Sequence, residues 1–174
     1  MKNLTLSVIV PFFNEKKYLK SSVERLISVS IFKEIILVDD NSTDNSYSIA
    51  ENLAHNVDNI QVLKNKVGKG KGAAVEYAKN HLTSTHMIIH DADLEYFPSD
   101  IVEMFDLAKN NPEVLILGTR FNGNKSRKNI YVRTELANRF LSFFFSLINL
   151  YKISDIASCY KMMPTEFFKE NKFS

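Results

Sequence analysis

Three carboxylates stand at alternate positions in His90-Asp91-Ala92-Asp93-Leu94-Glu95-Tyr96, directly after the apolar run Met87-Ile88-Ile89. In extended backbone alternate residues point the same way, so Asp91, Asp93 and Glu95 are expected to converge if the strand continues that far. Like charges are poorly tolerated so close together unless a cation lies between them. Hard oxygen ligands suit Mg²⁺ or Mn²⁺, which in turn hold phosphate oxygens. The chemistry indicated is a metal and diphosphate site with Asp91, Asp93 and Glu95 as metal ligands. An isolated D-x-D is more often a solvated acidic turn, so the elements around it must decide.

Those elements alternate. Leu4 to Val10, ended by Pro11, has the near-continuous apolar character of a buried parallel strand. The loop Phe12-Phe13-Asn14-Glu15 follows, and Tyr18, Leu19, Val23, Leu26 and Ile27 then have helical spacing. Glu34 to Asp40 is a second buried strand ending in two acids. Asn41 to Asp44 offers a turn and a helix N-cap before a helix from Asp44 to about His55. Ile60 to Leu63 is a third strand. The Gly/Lys loop Lys64 to Gly72 opens a helix of small residues, Ala73, Ala74 and Ala78. Lys69 and the backbone amides there would attract anions, or the glycines serve only close helix packing. The loop lacks the spacing of a P-loop.

The fourth strand, Met87 to His90, leads into the acidic motif, and Pro98 starts a helix over Ser99 to Lys109. Val114 to Gly118 is a fifth strand, from which Arg120 leaves at the same edge as the acids. A helical segment from about Val132 to Tyr151 carries Arg133 and Arg139; a loop from Ser154 enters a short strand, and Thr165 to Asn171 closes as a helix. Strand and helix alternate four times, which implies an α/β fold: a mostly parallel sheet with helices on both faces. Ligands of such sheets bind beyond the carboxyl ends of the strands, where Phe13-Asn14-Glu15, Asp39-Asp40, Asp91-Ala92-Asp93 and Arg120 all fall. The dinucleotide fingerprint is missing after the first strand, which argues against nicotinamide or flavin.

The 174 residues, 45% apolar and 24% charged, suit one domain over 1–174. A net charge of +2 gives no reason to expect a nucleic-acid partner. Cys159 is the only cysteine, which excludes an intramolecular disulfide and fits a reducing compartment; it reads as a small buried hydrophobe. No run reaches the roughly 20 apolar residues of a membrane-spanning helix, and the N-terminus has no signal-peptide pattern. The expected location is the cytoplasm or the cytoplasmic face of a membrane. The sequence leaves the oligomeric state open.

Four stretches carry a family resemblance: Val8 to Glu15, Ile36 to Asp44, Gly68 to Ala74 and Asp91 to Tyr96. Together they resemble an inverting family 2 glycosyltransferase of the GT-A fold, nearest to the dolichyl-phosphate mannose synthase-like branch. Gly118-Thr119-Arg120-Phe121 and Ser154 to Lys161 extend the likeness over nearly the whole chain. The resemblance implies a nucleotide-diphospho-sugar donor, GDP-mannose or UDP-hexose. Pro11, Phe13, Glu15 and Asp39 would surround its nucleoside, and Asp91, Ala92 and Asp93 would face metal and diphosphate. Glu95 would be a ligand or lie just behind one, and Arg120 and Arg133 would offset phosphate charge. Members of this branch commonly continue into further interfacial or membrane helices, so a chain ending at Ser174 is expected to be a short form or a cut one.

Breaking a sugar-diphosphate bond leaves negative charge on the departing group, which a divalent ion, Arg120 and the Gly/Lys loop would stabilise beside the catalytic Asp93. A polyprenyl phosphate acceptor is already anionic and needs no general base, whereas a sugar hydroxyl does. Asp155 is the candidate base, and reads equally as a helix-to-strand cap. The aromatic segment Phe140 to Ile148 is a core helix or, beside Lys125, Arg127 and Lys128, a membrane or lipid contact. Transfer to a lipid phosphate is the leading expectation; transfer to a sugar hydroxyl and a non-catalytic nucleotide-sugar binder are the alternatives. A nucleotidyltransferase would show a Gly-rich loop with arginine after the first strand, and Pro11 to Glu15 is not that.

Overall fold

Alternation of side chains along the central strands sets the layers of this protein. The computed structural model describes residues 3–119, 141, 155 and 158–171. In chain order the elements are β1 Leu6–Phe12, α1 Leu19–Ser28, β2 Phe32–Asp39, α2 Ser46–Asn56, β3 Ile60–Lys64, α3 Lys71–Ala78 and a 3₁₀ turn Lys79–His81. Then come β4 His86–Ile89, α4 Pro98–Asn110, β5 Ile116–Leu117, β6 Lys161–Pro164 and α5 Thr165–Glu170.

Leu6, Val8, Val10 and Phe12 of β1, with Ile35 and Leu37 of β2, point to the face covered by α1, α2 and α4, through Leu19, Val23, Ala50, Ile101 and Phe105. Ile9, Ile36 and Val38 point the other way, onto Ala74, Val75 and Ala78 of α3 and Phe168 of α5. Both faces of each central strand are therefore buried, the physical reason their sequences are continuously apolar rather than alternating.

The sheet order is β3-β2-β1-β4-β6-β5. β1, β2, β3 and β4 pair in parallel, and β6 runs antiparallel to both β4 and β5. The order reverses between β1 and β4, which opens a crevice at the carboxyl edge beside Ile9 and Ile89.

The sequence reading needs three corrections. β1 does not stop at Pro11 but passes through it to Phe12, with Pro11 opposite Val38. Pro11 lies past the last β4 rung, Ile9 with Ile89, so its missing N–H costs no bond to β4. The fifth strand is only Ile116–Leu117, at the sheet edge, because β6 inserts between it and β4. α2 begins at Ser46 rather than Asp44, whose carboxylate accepts the Ser46 N–H at 2.9 Å and so marks the helix start from outside. The segment 132–151 lies outside the described residues. Among the described residues no helix is long and apolar enough to cross a membrane.

Gly118 ends β5 where no side chain fits. Its N–H donates to the Tyr160 carbonyl at 2.8 Å, and a Cβ there would lie 2.8 Å from Tyr160 Cβ. Gly118→Ala is expected to cost about 1–3 kcal/mol as overpacking, measured by denaturant unfolding. An unchanged midpoint and slope would remove this reading.

Candidate functional site

Loops from β1, β2, β3 and β4 meet at the carboxyl edge, and short side-chain bridges lock them together. Asn14 has φ 55°, a region Asn tolerates better than most residues. Its Oδ1 accepts the N–H groups of Thr43 (2.8 Å) and Asp44 (3.3 Å), and its own N–H donates to Ser42 Oγ (3.0 Å). The β1 and β2 loops are thereby one unit.

Asp40 ties in the Gly/Lys loop. Buried, it accepts from Asn65 Nδ2 at 2.8 Å and from the Gly70 N–H at 2.6 Å. Gly68 and Gly70 adopt φ of 59° and 90°, and a Cβ on Gly68 would come 3.3 Å from Asn41 Cβ. The glycines are there for backbone conformation and close approach to the β2 loop. Next door, Asp39 is fully buried. Its Oδ1 accepts the Ser42 N–H at 3.1 Å, while Oδ2 has no hydrogen-bond partner among the described residues.

The acidic loop departs from expectation. β4 ends at Ile89, and the chain bends from there to Phe97. Asp93 Oδ1 turns back to accept the Glu95 N–H at 2.9 Å. Without extended backbone the alternate-side rule does not apply. Among the described residues no three His, Cys, Asp or Glu gather as a preformed metal cage, and Asp91, Asp93 and Glu95 lie together in this bend. Two half-buried carboxylates, Asp91 and Asp93, remain beside the crevice.

What holds this loop is a buried polar network that sequence reasoning missed. His90 is 1% exposed. Its Nε2 lies 3.1 Å from Ser22 Oγ of α1 and its Nδ1 3.0 Å from the Tyr160 hydroxyl. Ser22 Oγ also lies 3.4 Å from the Asp91 carbonyl and 3.3 Å from that of Asp93. Arg25 donates to the Tyr96 carbonyl at 3.0 Å, and the Tyr96 hydroxyl accepts the Cys159 N–H at 2.9 Å. Burial holds the His90 pKa down to about 4, so the ring is neutral. Burial likewise pushes the Tyr160 hydroxyl up. The sequence signal was a polar residue closing an apolar strand, but its partners are about 70 positions away in the chain.

The described acids of the site act on one another. Burial, and then the charge of Asp91, raises the Asp93 pKa against the Glu95 N–H bond and Lys71. Glu15 is raised by burial and then by Asp93, Asp44 and Asp91, so the β1 loop feels the acids of its neighbours. A cation that meets them is Lys71, the first residue of α3, which is ion-paired to Asp91. Lys69, the lysine expected here, is exposed like Lys71 and lines an open cleft with Tyr77, Lys79 and Lys169. Two lysines separated by one glycine are equivalent in sequence; only the helix start decides which one reaches the acids.

Lys71 Nζ also lies 3.4 Å from Cys159 Sγ. The thiol is not thereby activated: burial pushes it up to about 12, so it is neutral at pH 7. Burial opposes the charge of Lys71, yet Cys159 and Asp91 together raise its pKa; with a neutral thiol, Asp91 is the partner that matters. Of the remaining site candidates, Pro11 is buried in β1, Phe13 is 54% exposed and Ala92 is buried. Asp155 is 3% exposed and engaged with neighbours. Arg120 and Arg133 lie outside the described residues.

Two hard carboxylates at an open crevice fit Mg²⁺ or Mn²⁺. Mg²⁺ in particular is usually held by one or two carboxylates with water and substrate phosphates completing its shell, rather than by an all-protein cage.

Comparison with known proteins agrees with this geometry. The chain is 27% identical over 173 residues to the UDP-N-acetylglucosamine–dolichyl-phosphate N-acetylglucosaminyltransferase of Methanococcus voltae, covering 91% of this chain and 68% of that protein. It is 34% identical over 123 residues to the dolichol-phosphate mannosyltransferase of Mycosarcoma maydis, covering 66% of this chain and 42% of the relative. Glucosyl-3-phosphoglycerate synthase from Mycobacterium tuberculosis, solved with Mn²⁺, UDP and phosphoglyceric acid, superposes with a TM-score of 0.72 at 17% identity, over 94% of this chain and 57% of that one. At that identity the likeness establishes the GT-A fold. The sequence model described as glycosyl transferase family 2 matches residues 7–171, nearly the full chain, and the protein belongs to that family.

Proposed function

We propose that the protein transfers a sugar from a nucleotide-diphospho-sugar to a polyprenyl phosphate. The observation that carries the donor half is an orphaned buried oxygen at the carboxyl edge: Asp39 Oδ2 has no hydrogen-bond partner among the described residues, and the half-buried acids Asp91 and Asp93 leave the same sheet edge. Asp39, with Pro11, Phe13 and Glu15, would take the nucleoside, its Oδ2 suiting an N–H of the base. Asp91 and Asp93 would hold Mg²⁺ or Mn²⁺ against the diphosphate, with Glu95 in the same loop. Bound there, the ion would supply Lewis-acid stabilisation of the charge developing on the leaving diphosphate.

The chain's own residues do the rest. Ser22, His90 and Arg25 hold the acidic loop rigid, Asp40 holds the Gly/Lys loop, and Lys71 offers an ammonium to the same region. Arg120 and Arg133 would offset phosphate charge, and stabilisation placed in advance costs no reorganisation as charge develops.

For the acceptor, the names of the dolichyl-phosphate relatives support a lipid phosphate, and so does the burial of Asp155. A carboxylate 3% exposed is poorly placed to take a proton from a bulky sugar hydroxyl, and a phosphate nucleophile needs none taken. Asp155→Asn is accordingly expected to keep substantial activity. The assay offers radiolabelled GDP-mannose or UDP-hexose with polyprenyl phosphate or with free sugars, in Mg²⁺ or Mn²⁺. Transfer to sugar hydroxyls alone, abolished by Asp155→Asn, would overturn the acceptor assignment. Equal calorimetric affinity for the donor in excess chelator and in Mn²⁺ would overturn the metal.

A further inference from the structure

We propose that Lys71 is the resident counter-ion of Asp91 and must leave that carboxylate before a divalent cation can bind it, so that the acidic loop takes a cation together with a diphosphate and takes one poorly alone. The inference rests on the reading of Asp91 and Asp93 as cation ligands.

Lys71 Nζ is paired with Asp91 Oδ1, and the two side chains are 50% and 25% exposed. A dication on Asp91 would meet a full positive charge at ion-pair distance. Among the described residues the other group bonded to Lys71 is Cys159, a neutral thiol 3.4 Å away, while Asp93 acts on the lysine only through space. Displacing Lys71 before a diphosphate arrives therefore strips the ammonium of its bonded partner, at the cost of one charge-assisted hydrogen bond. A diphosphate changes that balance, because it brings its own negative charge into the same crevice and gives the ammonium a new anion.

The geometry permits the exchange. The backbone of Lys71 is anchored, since Gly70 before it donates to buried Asp40 and Ala74 donates to the Gly70 carbonyl. The side chain is a flexible four-carbon stem and is half exposed. The ammonium can thus pivot between Asp91 and a phosphate oxygen with no movement of α3. Cation and diphosphate then bind with positive coupling, each strengthening the other by the same factor.

The test reads Mn²⁺ binding directly, from the free-ion signal in electron paramagnetic resonance, for the wild type, Lys71→Met and Lys71→Arg, each with and without UDP or GDP. In Lys71→Met, Mn²⁺ alone is expected to bind about tenfold more tightly, the scale of one charge-assisted hydrogen bond. The enhancement of Mn²⁺ affinity by the nucleoside diphosphate is expected to shrink in the same variant. Lys71→Arg, which keeps the charge, is expected to restore weak binding of Mn²⁺ alone. An unchanged or weaker Mn²⁺ affinity in a Lys71→Met protein with wild-type melting would overturn the proposal. Failure of the underlying reading looks different: Mn²⁺ binding in the presence of UDP or GDP would then be indifferent to both Asp91→Asn and Asp93→Asn.

Discussion

Asp93→Asn is expected to lower sugar transfer by roughly 10²- to 10³-fold, the scale of losing one preorganised electrostatic partner of a transition state, while leaving the fold as stable as before or more so. The two effects separate because the substitution is nearly isosteric. The amide oxygen can still accept the Glu95 N–H that Oδ1 now accepts at 2.9 Å, so the turn survives. What disappears is a charge the protein holds at a disadvantage. The Asp93 pKa is raised by burial and by Asp91, and an acid raised in the folded state weakens folding at neutral pH. Melting temperature and steady-state kinetics on the same preparation check both halves. A variant that transfers sugar at the wild-type rate, or that melts well below it, would show that Asp93 is a structural carboxylate.

Acid is expected to loosen the protein through His90. In the folded chain this imidazole is held down to about 4 by burial, against the pull of Asp91 and with smaller contributions from Arg25 and Lys71. Unfolded, it takes up a proton near pH 6.5. Stability from the neutral ring is therefore fully present above pH 6.5 and is lost as pH falls from there toward 4, by about 3 kcal/mol at most. Glu15 and Asp93 act in the opposite sense: their raised carboxyl groups cost stability at neutral pH and cease to do so as they protonate. His90→Gln isolates the imidazole, since an amide can serve Ser22 and Tyr160 without titrating. Urea midpoints measured between pH 7 and 4 should fall more steeply for the wild type than for His90→Gln. Parallel curves would exclude the ring as the acid-sensitive element. His90→Leu, which leaves Ser22 and the Tyr160 hydroxyl facing an apolar side chain, is expected to be destabilised at every pH.

Strand-ending carboxylates were legible without a structure because burial of a parallel sheet on both faces forces its strands to be apolar throughout. Any charge in such a run must fall at its end, and the parallel strands all end at one edge. That reasoning placed Asp39, Asp40, Asp91 and Asp93 at one sheet edge, and β1 to β4 do run parallel and end there. The sequence by itself therefore determined the α/β architecture, the edge at which the strand-ending acids gather and, through four ordered motifs, the family. It could not determine contacts between segments far apart in the chain. Neither period nor composition distinguishes Lys69 from Lys71; the choice follows from where Asp40 pins Gly70 and starts α3. Nor does local pattern reveal that β6 inserts antiparallel beside β4, bringing Cys159 and Tyr160 against the acidic loop. The extended run expected through Asp91, Asp93 and Glu95 failed for the same reason. It assumed a strand continuing past Ile89, whereas the loop bends where Ser22, Arg25 and Tyr160 hold it, and those partners are supplied only by the folded chain.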